Sequence, residues 1–194
     1  CEFSKQDWKK IKDKCDEEQI LFLSTPENRT DLDLLLELNI QAIKIGSDDL
    51  INIPLIKEFS STGLPIIMSC GMSTLNEIKE SLQVFDSKKE YPIVLMLATS
   101  EYPTQAENVN LLKLKTLSNT FSNIILGFSD HTQNSLASSI AVGLGARVFE
   151  KHFTLSHDLP GPDHWFSADS IELKNWVKTI KQAHQMLGSK TVEP

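Results

Sequence analysis

Arginine is nearly missing from this chain of 194 residues, which carries it at Arg29 and Arg147 and nowhere else. A cluster of guanidinium forks, the usual clamp for a phosphorylated sugar, is therefore not evident. Cysteine is also scarce: Cys1, Cys15 and Cys70 show no metal-ligand spacing and are odd in number, so a reducing cytoplasm is the expected setting. No apolar run approaches the roughly 18 residues of a membrane span, and no signal-peptide pattern stands before the first predicted helix. No Gly-rich dinucleotide or phosphate loop follows any predicted strand, which counts against nucleotide binding. A net charge of -7 leaves little scope for a basic face, so neither nucleic acid nor an anionic membrane is an expected partner. Any anionic substrate must meet local cations.

What is present reads as one domain over residues 1–194, with 40% hydrophobic and 23% charged residues, ordinary for a globular protein. Helical patterns cover Phe3 to Glu18, Asp31 to Leu38, Pro54 to Ser61, Leu111 to Phe121, Ser135 to Leu144 and Ser170 to Leu187. A further helix begins near Ser73 and Thr74, with Glu77 placed to complete a capping box. Short apolar runs between them predict strands: Ile20 to Leu23, Ala42 to Ile45, Pro65 to Met68, Pro92 to Leu97, Ile124 to Phe128 and Arg147 to Phe149. Continuous apolar strands alternating with helices belong to a covered parallel sheet, either open or closed into a barrel. Each predicted strand exits onto a Ser or Thr (Thr25, Ser47, Ser69, Ser100, Ser129, Thr154), which favours a barrel mouth. The fold expected from the pattern is therefore α/β, with an open doubly wound sheet and a closed eight-stranded barrel both compatible and the polar exits favouring the barrel.

Two strand exits carry histidine. Ile124 to Phe128 runs into Ser129-Asp130-His131-Thr132, and Arg147 to Phe149 runs into Glu150-Lys151-His152-Phe153-Thr154. Neighbouring strand ends of a parallel sheet or barrel converge, so the two imidazoles could hold one divalent metal, the alternative being two unrelated loop or core histidines. Glu150 lies two residues before His152, so in extended chain both point to the same side. His164 is a weaker ligand candidate, and His157 and His184 read as solvent-facing.

Taken in order, Thr25-Pro26, Lys44-Ile45-Gly46-Ser47, Ser69-Cys70-Gly71-Met72, Thr99-Ser100-Glu101-Tyr102-Pro103, the two histidine motifs and Pro160-Gly161-Pro162-Asp163-His164 carry a resemblance. The chain resembles the N-acetylneuraminate (sialic acid) synthase family, which includes legionaminate and pseudaminate synthases, over essentially its whole length. That resemblance implies an α/β fold, a TIM-type (β/α)8 barrel of which about six βα units are present, in an enzyme that joins phosphoenolpyruvate to an N-acetylated aminohexose, by default N-acetylmannosamine, usually with Mn²⁺. Carbon 3 of the enol attacks the open-chain aldehyde, water attacks carbon 2, and the tetrahedral intermediate loses phosphate by carbon–oxygen cleavage. The metal has two roles in such a reaction, polarising the aldehyde oxygen and positioning the water.

The resemblance also distributes roles. His131 and His152 become the metal ligands and, with Lys44 and Tyr102, the catalytic set. Thr25, Lys44, Ser47, Ser100 and Ser129 surround phosphoenolpyruvate, where hydrogen bonds to an ionised group are the strong ones. Ser69 is a weaker member. Asp49, Tyr102, Glu150 and Asp163 contact the sugar hydroxyls and N-acetyl group.

Two departures stand out. The family's usual Leu-Leu-His-Cys-Thr-Ser is Leu95-Met96-Leu97-Ala98-Thr99-Ser100 here, an apolar pair for a polar one. The family's first two βα units, with a glutamate in EIGxNHxG and a second phosphate-binding lysine, and its C-terminal antifreeze-like domain have no counterpart in the sequence. The expectation is a piece of a synthase that is homodimeric at full length. A legionaminate or pseudaminate synthase, or a non-catalytic barrel fragment serving as an interaction module, are the alternatives.

Overall fold

The computed structural model describes residues 3–85 and 92–191. The chain packs as two compact units, one ending at Ile93 and the other beginning at Val94.

The first unit opens with α1 (Lys5–Glu17), started by a capping box in which Ser4 and Asp7 satisfy each other's backbone N–H groups. Its polar face is laced by i,i+4 pairs such as Lys9–Asp13, and none of its residues is buried. Residues 20–27 form no strand, contrary to the reading of Ile20 to Leu23. An apolar run becomes a strand only when a neighbour completes its ladder, and one long backbone bond joins this segment to the next, from Lys44 N to Ser24 O at 3.4 Å. Phe22 is buried, whereas Ile20 and Leu21 are exposed. After α2 (Arg29–Glu37), capped by Asn28, come β1 (Ile43–Ile45), α3 (Ile53–Ser61), β2 (Ile66–Ser69) and α4 (Leu75–Val84). β1 and β2 run parallel, with Ile43 opposite Ile66 and Ile45 opposite Met68. Their buried side chains share a core with Leu32, Leu35, Ile56, Phe59 and Ile78 from the three helices. Thr74 and Glu77 form the capping box read from the sequence.

The second unit is built on β3 (Ile93–Leu97), from Val94 onward, β4 (Ile125–Asp130) and β5 (Val148–Lys151), all parallel. Every residue of β3 is buried. Gly127 lies mid-β4, where a Cβ would meet Met96 Cγ at 2.8 Å and Val148 O at 3.1 Å, so this close strand spacing requires glycine. α5 (Lys113–Thr120) packs on β4 through Leu114 and Leu117. α6 (Leu136–Gly143) packs against α7 (Ser170–Met186), whose Trp176 is buried. Strands β4 and β5 run two residues further than their apolar runs, so Ser129, Asp130, Glu150 and Lys151 are strand residues rather than loop residues. Among the described residues five strands form, and the architecture is α/β with parallel strands.

Candidate active site

The extension of β4 and β5 sorts their polar residues onto two faces. Ser129 lies opposite Glu150 and Asp130 opposite Lys151 in the register. Side chains alternate along a strand, so Ser129 and His131 share one face with Glu150 and His152, while Asp130 and Lys151 share the other.

On the first face, Ser129 donates its hydroxyl to Glu150 Oε1 at 2.7 Å. The same Oγ lies 3.2 Å from His131 Nε2. Nδ1 of His131 meets the Thr99 carbonyl at 2.7 Å. A carbonyl only accepts, so Nδ1 carries the hydrogen and the neutral ring keeps its lone pair on Nε2. Burial holds the His131 pKa below the ordinary imidazole value; nearby His152 pushes the same way, and the Thr99 carbonyl, Glu150 and Asp130 oppose.

The His152 ring stands 5.2 Å from that of His131, centroid to centroid, and nearly perpendicular to it. Its Nδ1 is 3.8 Å from Asp163 Oδ2, near but beyond hydrogen-bond distance. Tyr102 lies 4.3 Å from the His131 ring and 5.5 Å from His152, and Phe166 closes the group at 5.2 Å from His152. Ser100 is exposed on the loop that carries Thr99. The structure thus brings His131, His152, Tyr102, Ser129, Glu150 and Asp163 into one cluster.

The first unit gathers a smaller group. Lys44, half-buried in β1, donates to Ser69 Oγ at 3.1 Å, and Ser47 Oγ accepts from Gly71 N at 3.0 Å. Lys44 is central in its short strand, flanked by Ile43 and Ile45 in the register. Ser69, the weaker candidate of the sequence, is buried and accepts from this lysine. Asp49 accepts from Asn52 at 3.1 Å in the turn before α3, and Thr25 is exposed.

The other face of β4 and β5 was not anticipated. Asp130 is buried; its Oδ1 accepts from Thr132 N (2.9 Å) and Thr132 Oγ1 (2.7 Å), and its Oδ2 from Trp176 Nε1 (3.1 Å) and Ser138 Oγ. Lys151 Nζ lies 3.7 Å from Asp130 Oδ1 and donates to the carbonyls of Asp130 and Thr132. Burial lowers the pKa of this ammonium, and Asp130 opposes the shift. Only the adjacency of Asp130 and Lys151 to the two histidines could have signalled the network.

The histidine cluster suits a divalent cation. Ser129 gives its single hydrogen to Glu150, so it leaves the Nε2 lone pair of His131 for a cation, and burial disfavours a proton there. A carbonyl on the remote nitrogen is the usual brace of a ligating imidazole. His157, Asp169 and Glu172 form another grouping of possible ligands. There, His157 Nε2 meets the Ser167 carbonyl at 3.0 Å and both acids cap α7, whose N-terminal dipole repels cations. That group is a helix cap. His157 and His184 are exposed, as read, and His164 Nδ1 pairs with Thr154 Oγ1 at 2.8 Å.

Parallel strands followed by helices, with polar groups at the strand ends, are the pattern of TIM-barrel-type folds. A DAHP synthase of Thermotoga maritima shares that fold at TM-score 0.80 and 18% identity, over 96% of this chain and 57% of that one. The chain belongs to the NeuB family, whose sequence profile matches residues 1–192. It is similar to the N-acetylneuraminic acid (sialic acid) synthetase of Leptospira borgpetersenii, with TM-score 0.92 and 32% identity over 100% of this chain and 67% of that one. The N,N'-diacetyllegionaminic acid synthase of Legionella pneumophila is 39% identical over 180 residues, 90% of this chain and 50% of that protein. The chain spans about half the length of the curated relatives it matches. Among the described residues no helix is long and apolar enough to cross a membrane.

Proposed function

We propose that the protein condenses phosphoenolpyruvate with an N-acetylated aminohexose, N-acetylmannosamine by default, giving a nine-carbon sialic-acid-type sugar and phosphate. The carrying observation is the juxtaposition of His131 and His152 with a tautomer fixed by Thr99, in a chain of this family. His131 and His152 would hold the metal, for which Mn²⁺ is the proposed ion. When bound, that ion supplies Lewis acidity.

The chain's own groups divide the remaining work. Lys44, with Ser69 beside it, and Thr25, Ser47, Ser100 and Ser129 bind the phosphate and carboxylate of phosphoenolpyruvate. Glu150, Asp163 and Asp49 accept from sugar hydroxyls, and Tyr102 offers a ring face beside both histidines. Carbon 3 of the enol forms the new bond to the sugar aldehyde carbon, water supplies the oxygen at carbon 2, and phosphate leaves with the original ester oxygen. A cytoplasmic homodimer is part of the same proposal.

The 39% identity to a protein named for diacetyllegionaminic acid favours a second sugar, one carrying two N-acetyl groups. Phosphate release from phosphoenolpyruvate, measured with each sugar with and without Mn²⁺, tests the reading. Sugar- and metal-dependent release, abolished by His152→Ala, is expected. Release that ignores both sugars, or survives His152→Ala, would overturn it.

A further inference from the structure

We infer that Lys151 and Asp130 are positioning residues, whose buried ion pair fixes the backbone on both sides of His131 and ties it to the strand carrying His152. The inference rests on the metal-dependent reading above. It begins with what the ammonium touches. Lys151 Nζ donates to the carbonyls of Asp130 and Thr132, the two residues that flank His131 in the chain. The Asp130 carboxylate in turn binds the backbone N–H and hydroxyl of Thr132, so the turn around His131 is gripped from both ends. Lys151 is itself flanked by Glu150 and His152. One buried cation therefore links the peptide segments of both imidazoles.

The pair is costly to bury and is held in place from every side. The side chains of Lys151 and Asp130 are 6% and 0% exposed. Trp176 and Ser138 satisfy the second carboxylate oxygen, and the Trp176 ring lies 6.0 Å from the ammonium. Two hydrocarbon side chains of similar volume would hold β4 to β5 without any desolvation cost, and such replacements are often neutral or stabilising. A hydrocarbon chain cannot bond the carbonyls beside His131. The charge is thus suited to a geometric task on the opposite face, where two rings must meet one ion to within a few tenths of an ångström.

The test is Mn²⁺ affinity of the full chain, read directly by titration, for wild type, Lys151→Met, Asp130→Asn and Lys181→Met, an exposed lysine of α7 as control. Weakening by about 10–100-fold in folded Lys151→Met is expected, the range for groups that orient metal ligands. Turnover should return as Mn²⁺ is raised, with the KM for phosphoenolpyruvate unchanged, a split that general loss of structure would not produce. Wild-type Mn²⁺ affinity in folded Lys151→Met overturns the inference. If Lys151→Met does not fold, Asp130→Asn decides by the same criterion, and failure of both to fold would make the pair a folding element instead. A wild type that binds Mn²⁺ through His152 but releases no phosphate would sink the proposed reaction and leave the positioning role standing.

Discussion

His131 is neutral by construction. Its ring is buried against the Thr99 carbonyl, and burial is the largest cause of its lowered pKa. In the unfolded chain the same imidazole titrates near its ordinary value of about 6.5. Between the lowered folded value and that one, the unfolded chain binds more protons, so stability rises with pH across the interval. The contribution is complete above about 6.5 and is lost as pH falls through the folded value. Thermal melts of the metal-free chain should therefore drop in Tm on mild acidification, and His131→Asn should remove part of that slope. Parallel slopes for the two proteins would show that another group governs the acid limb. The residue scale also explains what the letters carried. A histidine at a strand exit is visible, but its acceptor at Thr99 is a backbone carbonyl, which every residue possesses and no sequence announces.

At the scale of the element, β4 shows how much one position can decide. Gly127 sits where a methyl group would press on Met96 at 2.8 Å and on the Val148 carbonyl at 3.1 Å, that is, on both neighbouring strands at once. Gly127→Ala should cost about 1–3 kcal/mol through overpacking, seen as a lower midpoint in denaturant at unchanged slope. A substitution without effect would mean that β3 and β5 yield easily. Helices were largely legible because their starts are written locally: Ser4, Asn28, Thr74 and Asp169 each cap the helix that follows. Strands were less so. Ile20 to Leu23 has the composition of a strand and lacks the ladder, whereas Ser129, Asp130, Glu150 and Lys151 look like loop and are strand. The polar quartet stays extended because Ser129 meets Glu150 and Asp130 meets Lys151 across the register, partners 21 residues apart that no local pattern can pair.

For the molecule as a whole, order is unevenly distributed. α1 has no buried residue, while β3 is buried throughout. Amide exchange should accordingly be fast along α1 and slowest in β3, and equal protection would show that opening is global rather than local. The parallel α/β architecture, the family and the pairing of His131 with His152 were all readable from motif order; the ion pair behind them was not, since it joins residues whose significance appears only once two strands lie side by side. The Thr99 carbonyl has one more consequence. Where the family usually writes His-Cys, this chain writes Leu97-Ala98, yet Nδ1 of His131 still finds its acceptor at 2.7 Å. The proton's address on that ring is set by the path of the chain, a contact that the side chains of Leu97 and Ala98 take no part in making.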